Sequence, residues 1–153
     1  MDFSPHFDSL GIHVILAKKQ QQLCNDLLAI EDIHERLGAV VSRARGGATL
    51  TPDERNEASR VRGCVSAVWL VGEMRDGRCY FRSDADGPLV RGLVGLLTDF
   101  FSGATPAEIV TSQSDPLGAL ELTANLSPTR RNGLASTRAA IVAFAAAHNT
   151  APS

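Results

Sequence analysis

The chain is poor in aromatic residues, with one tryptophan, one tyrosine and six phenylalanines in 153 residues, so its core must be largely aliphatic. Its longest apolar runs, such as Ala139 to Ala147, fall well short of the ~18 to 20 residues that a spanning helix needs. No membrane partner is expected. Nor is there an excess of positive charge: the formal net charge is −2, so no global field draws the chain onto phosphate backbones. Nucleic acid is therefore not an expected partner. The opening MDFSPHFDSL lacks a charged stretch followed by an apolar block, and the expectation is a cytoplasmic location. Cys24, Cys64 and Cys79 make neither a CxxC pair nor an even-numbered disulfide framework. An odd set of three suits a reducing compartment and directs attention to one working thiol. His6, His13, His34 and His148 are scattered, without the spacing of a zinc site. Gly92 and Gly95 sit inside a leucine-rich helical pattern rather than after a strand, so no phosphate loop is present. Neither a metal nor a bound cofactor is expected.

What the chain does have is a clear change of period. From His6 to about Arg45 apolar residues recur at three- and four-residue steps (Leu10, Val14, Ala17, then Leu23, Leu27, Ile30), predicting two helices with a break near Ala29. Thr51-Pro52-Asp53-Glu54 has the cap, proline and acid of a helix start, although the polar residues after it allow only a short turn. Between Ser59 and Ser83 the period becomes two. Val68 and Leu70 point one way, Trp69 and Val71 the other, and Asp76-Gly77 then marks a hairpin before Cys79 and Phe81 share a face on the return. Helical spacing resumes after Asp86-Gly87-Pro88. Thr105-Pro106, Asp115-Pro116 and Ser127-Pro128 each open a further helix, the last running to His148, with a fraying tail after Asn149. The reading is an α/β (α+β) fold: a small antiparallel sheet of about three strands against several helices. It divides one domain, residues 1–153, into N-terminal helices (6–45), a sheet and cysteine loop (59–83) and C-terminal helices (86–148).

Cys64 is the residue best placed for chemistry. Gly63 permits a sharp turn that presents the next side chain at a loop tip. Arg60 and Arg62 are expected to lower its pKa and enrich the nucleophilic thiolate. Cys24 lies among Leu23, Leu27 and Leu28, and Cys79 shares a strand face with Phe81, so both read as core fillers. Arg130 and Arg131 stand in a helix's first turn, against its dipole, either as a solvated pair or held for an anionic or thiolate partner.

The segment Ser59-Arg60-Val61-Arg62-Gly63-Cys64-Val65-Ser66-Ala67-Val68-Trp69-Leu70 resembles the SufE/CsdE family of sulfur-acceptor proteins, whose hallmark is a basic-Gly-Cys turn followed by x-Ser-x-Val-Trp. The likeness continues in order through 83–86, 89–93, 105–109 and Leu126-Ser127-Pro128-Thr129-Arg130-Arg131-Asn132-Gly133-Leu134. It spans roughly residues 50 to 148. The resemblance implies a SufE/IscU-like fold with a curved antiparallel sheet carrying helices on one face. It also implies a carrier role: Cys64 takes persulfide sulfur from a PLP-dependent cysteine desulfurase (SufS/CsdA-like), stimulates that enzyme, and passes sulfur to an iron–sulfur scaffold (SufBCD-like). Arg130 would support the cysteine, and the PLP would belong to the partner, so the chain itself would be an accessory protein rather than an enzyme. The chain departs from the family at Val65 and Ala67, where glutamine is frequent, and at Gly46 to Thr51, which replaces a Leu-Pro-Pro-Leu-like approach. Two other classes stay open: a thiol redox protein with Cys79 as resolving cysteine, and an adaptor in which Cys64 is structural.

Overall fold

The computed structural model describes residues 5–45, 50–65 and 67–149, and the side chains of 15–43, 50–65 and 67–149. Two helices, α1 (Pro5–Leu27) and α2 (Ile33–Arg45), lead to a 3₁₀ turn (Pro52–Glu54); then come strands β1 (Val68–Arg75) and β2 (Arg78–Ala85), and helices α3 (Pro88–Phe101), α4 (Pro106–Thr111), α5 (Pro116–Ala119) and α6 (Pro128–Ala147). The break between α1 and α2 falls where the sequence places it. The expected tail beyond Asn149 lies outside the described residues.

Asp76 and Gly77 both take positive φ (53° and 78°), the conformation a tight two-residue hairpin demands. The register pairs Val68 with Ala85, Leu70 with Ser83, Gly72 with Phe81 and Met74 with Cys79. Alternation puts these side chains on one face, where Val68, Ala85, Ser83, Phe81 and Cys79 are all buried. Helices α3 and α6 pack against the strands. Gly72 matters for that packing: a Cβ there would meet the Phe144 ring of α6 at 2.8 Å, and Phe144 instead lies edge-on to Phe81, 5.4 Å between centroids.

The sheet has two strands where about three were expected. The segment before the cysteine does run alongside β1, with Val61 N–H donating to Val68 O (2.8 Å) and Leu70 N–H to Ser59 O (2.8 Å). It pairs only through the isolated bridge Arg60–Trp69. On one side Asn56 and Ser59 are held in a turn by their own side chains (Ser59 N–H to Asn56 Oδ1, 3.0 Å), and on the other Gly63 turns the chain away at φ 85°. Between the two there is no room for a ladder.

α3 runs through the core, with Leu93, Val94, Leu97, Phe100 and Phe101 almost wholly buried, and α2 covers another of its sides. Lys19 of α1 closes α3's C-terminal end by donating to the carbonyls of Asp99 (2.9 Å) and Phe100 (2.7 Å); burial pushes its pKa down. The helix starts are built as their sequences specify. Thr105 Oγ1 accepts from Glu108 N–H (3.2 Å) while Glu108 Oε1 accepts from Thr105 N–H (2.7 Å), and Ser127 Oγ accepts from Arg130 N–H (3.3 Å).

Candidate functional site

The cysteine loop is a short excursion whose roots are tied together. Val61 bonds to Val68 at its base, and the second root is pinned to the start of α3 by Asp86 N–H donating to Ala67 O (3.0 Å). Behind that root, buried Asp84 accepts from Arg91 Nε (2.8 Å) and pairs with Arg55 (3.2 Å), and Arg55 in turn lies over the Trp69 ring. The scaffold beneath the loop is thus fixed by backbone hydrogen bonds and a charged clamp.

Gly63 adopts φ 85°, which an L side chain rarely tolerates, and a Cβ there would lie 3.2 Å from Ser136 Oγ. The glycine brings the loop down onto α6. Cys64 is consequently half-buried rather than displayed at a tip. Its thiol donates to Gly133 O (3.5 Å), a carbonyl that also accepts from buried Thr137 Oγ1 (2.8 Å). Gly133 has no side chain to intrude; a Cβ on it would sit in ordinary contact with the sulfur at 3.8 Å.

This placement reverses the expected electrostatics. Burial pushes the Cys64 thiol above its ordinary 9.0, and the hydrogen bond from Ser136 and the charge of Arg60 pull it back only in part. The arginine effect read from the sequence is present but loses to desolvation. In this setting burial favours the thiol over the thiolate, and the sulfur is hydrogen-bonded to a carbonyl that would repel a thiolate, so the nucleophilic form is disfavoured where Cys64 sits.

The other predicted residues fall as follows. Arg130 is exposed in the first turn of α6, one turn before Gly133, and its side chain makes no ion pair among the described residues. Cys79 is fully buried on β2, its sulfur 3.6 Å from Met74 Sδ. Cys24 is half-buried against the core. Among the described residues no group of three His, Cys, Asp or Glu side chains could hold a metal ion, and no helix is long and apolar enough to cross a membrane. Ser136 was not singled out by sequence reasoning. It lies 72 positions after Cys64 in an alanine-rich helix, and its only outward mark is a small polar residue one turn after the glycine of a matched motif.

Comparison with known proteins adds a lineage to this geometry. A family profile described as "SufE: Fe-S metabolism associated domain" matches residues 21–145. A SufE-like protein of Synechocystis is 42% identical over 76 residues, covering 50% of this chain and 48% of its own length. Thus this chain spans about half of that relative. A SufE-like protein of Rhizobium etli is 31% identical over 120 residues, 75% of this chain and 81% of its own, and one of Rhizobium meliloti matches at the same identity over 86% of its length. Among solved structures, the solution structure of a hypothetical protein from Thermus thermophilus superposes with a TM-score of 0.70 over 87% of this chain and 97% of that one, at 18% identity. That likeness concerns the fold alone.

Proposed function

Because this chain belongs to the SufE family, we propose that it is a sulfur-transfer accessory protein of a PLP-dependent cysteine desulfurase, with Cys64 as the sulfur acceptor. The observation that carries the reading is the thiol's setting: a lone cysteine on a short loop, half-buried against the carbonyl of Gly133 and the hydroxyl of Ser136. Such a site suits a sulfur that must react with one partner and be shielded from others. In the transfer, the Cys64 thiol gives up its proton and its sulfur attacks the outer sulfur of the donor persulfide. The donor's sulfur–sulfur bond breaks, its electron pair leaves on the donor cysteine as a thiolate, and Cys64–SSH remains. The exchange is redox-neutral and calls for no metal and no second cysteine in this chain. The PLP belongs to the desulfurase. In this reading the protein stimulates that enzyme by emptying its persulfide, works in the cytoplasm, and hands the sulfur to an iron–sulfur scaffold; Arg130, a turn before Gly133, supports the acceptor.

The test is mass spectrometry of the protein after incubation with desulfurase and cysteine. One added sulfur on Cys64, abolished together with desulfurase stimulation in Cys64→Ser, is the expected result. Sulfur uptake or stimulation that survives Cys64→Ser overturns the reading. A Cys64–Cys79 disulfide under mild peroxide would instead indicate thiol redox chemistry, and unaltered partner binding with no sulfur on Cys64 would indicate an adaptor.

A further inference from the structure

On α6 the sequence sets Leu134 and Arg138 at helical spacing from Arg131, which brings all three onto one face of the helix. That face is turned away from Gly133 and Ser136, the positions that meet the sulfur. It lines a cavity of about 400 Å³ whose apolar side is formed by buried Leu97 of α3, Leu117 of α5 and Leu134 itself. Arg131, Arg138 and Asp115 line the same cavity. Small-molecule sites are built in this way, as concave apolar spaces of ~300–1,000 Å³ onto which a few polar groups converge.

The two guanidiniums differ in how they are held. Arg138 is braced: its Nη2 donates to Ser114 O, and the group lies over the buried Phe101 ring, 5.2 Å from the centroid. Its Nη1, by contrast, is buried without a hydrogen-bond partner among the described residues. A charged donor left unanswered in a folded protein is costly and calls for an explanation. Arg131 is exposed and makes no ion pair among the described residues. Asp115 is the one carboxylate among the described lining residues, and its Oδ1 already accepts from Gly118 N–H (3.1 Å) to cap α5. Two cations against one anion leave this cavity net positive, in a chain whose formal net charge is −2.

We propose that this cavity binds a small monocarboxylate with an apolar body. The carboxylate lies between Arg131 and Arg138, whose Nη1 turns over the Phe101 ring to meet it, and the body packs on Leu97, Leu117 and Leu134. A single negative charge suits the site, because Asp115 on the same wall repels a second. A bare inorganic anion would leave the leucines uncovered, and a neutral molecule would leave the guanidiniums unanswered. The inference goes beyond the sulfur-acceptor role and does not depend on it, since the cavity and the sulfur lie on different sides of α6.

Calorimetric titration of the full chain with 4-methylpentanoate, octanoate and 3-phenylpropionate tests the site, with their amides, acetate and inorganic phosphate as controls. At least one of these carboxylates should bind with a Kd of about 1 mM or below, and its amide about tenfold more weakly, the scale of one hydrogen bond to a charged group. Acetate and phosphate should be as weak as the amide. In isotope-labelled protein the amide resonances of Leu117 and Leu134 should shift on titration. Arg131→Gln, at an exposed side chain, should weaken binding severalfold, and Ala135→Trp, which fills the cavity from an exposed position without altering charge, should abolish it. Arg138→Gln should weaken it about tenfold; because Arg138 also braces Ser114 and Phe101, the other two variants carry the test if this one unfolds. The proposal is overturned if none of these carboxylates binds up to about 10 mM, or if the amides bind as well as the acids. Phosphate or acetate binding as tightly, which would mean an adventitious ion only, also overturns it, as does affinity unchanged in both Arg131→Gln and Ala135→Trp. Sulfur uptake on Cys64 is read separately, so either reading can fail while the other stands.

Discussion

Replacing Gly63 by alanine tests whether the turn exists to serve the sulfur. At φ 85° an L side chain costs ~1–2 kcal/mol, partly offset by the ~0.4–1 kcal/mol that alanine removes from the unfolded chain's entropy. The net loss is about 1 kcal/mol, or roughly 2–4 °C in Tm for a chain of this size. Gly77, at φ 78° with open space around its would-be Cβ, is the matched control and should lose the same. The two variants part company at the thiol. At Gly63 the new methyl would stand 3.2 Å from Ser136 Oγ, so the hydroxyl must retreat by a few tenths of an ångström and its hydrogen bond to Cys64 weakens. Because that bond pulls the thiol pKa down, Gly63→Ala should slow alkylation of Cys64 by iodoacetamide at fixed pH, and Gly77→Ala should not. Thermal unfolding followed by circular dichroism and a timed alkylation assay suffice. Identical alkylation rates in the two variants would refute the link between the turn and the sulfur.

Ser136→Ala should raise the midpoint of the pH dependence of Cys64 alkylation above the wild type's, since it deletes the larger of the two influences opposing burial; a pH series of alkylation rates checks this, and a midpoint that falls would contradict the assignment. Glu54 provides a pH signature in stability. Arg82 holds its carboxyl down to about 2 from the ordinary 4.5 through a two-pronged contact. A depressed acid contributes stability in full above its unfolded value and loses it as pH falls from about 4.5 toward 2. Urea midpoints across that window should drop more steeply for the wild type than for Glu54→Gln, and parallel curves would remove Glu54 from the account.

Much of this architecture is legible in residues a few positions apart. Thr105-Pro106-Ala107-Glu108 and Ser127-Pro128 announce α4 and α6 because a cap needs only its own next three residues. Asp76-Gly77 announces the hairpin because both φ values are set within the turn. The third strand is misread because Ser59 to Val61 carries a strand's composition while its neighbours are committed to turns, which only the assembled chain reveals. The environment of Cys64 is harder still. Its ordered motifs single out the residue, yet the groups that set its protonation arrive from α6, 69 and 72 positions later, and burial outweighs the adjacent charge that the sequence displays.

The contact at Gly72 bears on the far end of the same helix. Phe144 can lie against β1 only because position 72 lacks a side chain, and Gly133, which meets the sulfur, stands eleven residues earlier on α6, about 17 Å along a rigid rod. The helix therefore behaves as a lever with its rest on the sheet and its working end at the thiol. A side chain at position 72 would have to displace the Phe144 ring, so the seat of α6 on β1, and through it the placement of Gly133 beside the thiol, rests on a missing side chain. Gly72→Ala should therefore lower the melting temperature by displacing the Phe144 ring, which thermal unfolding would show.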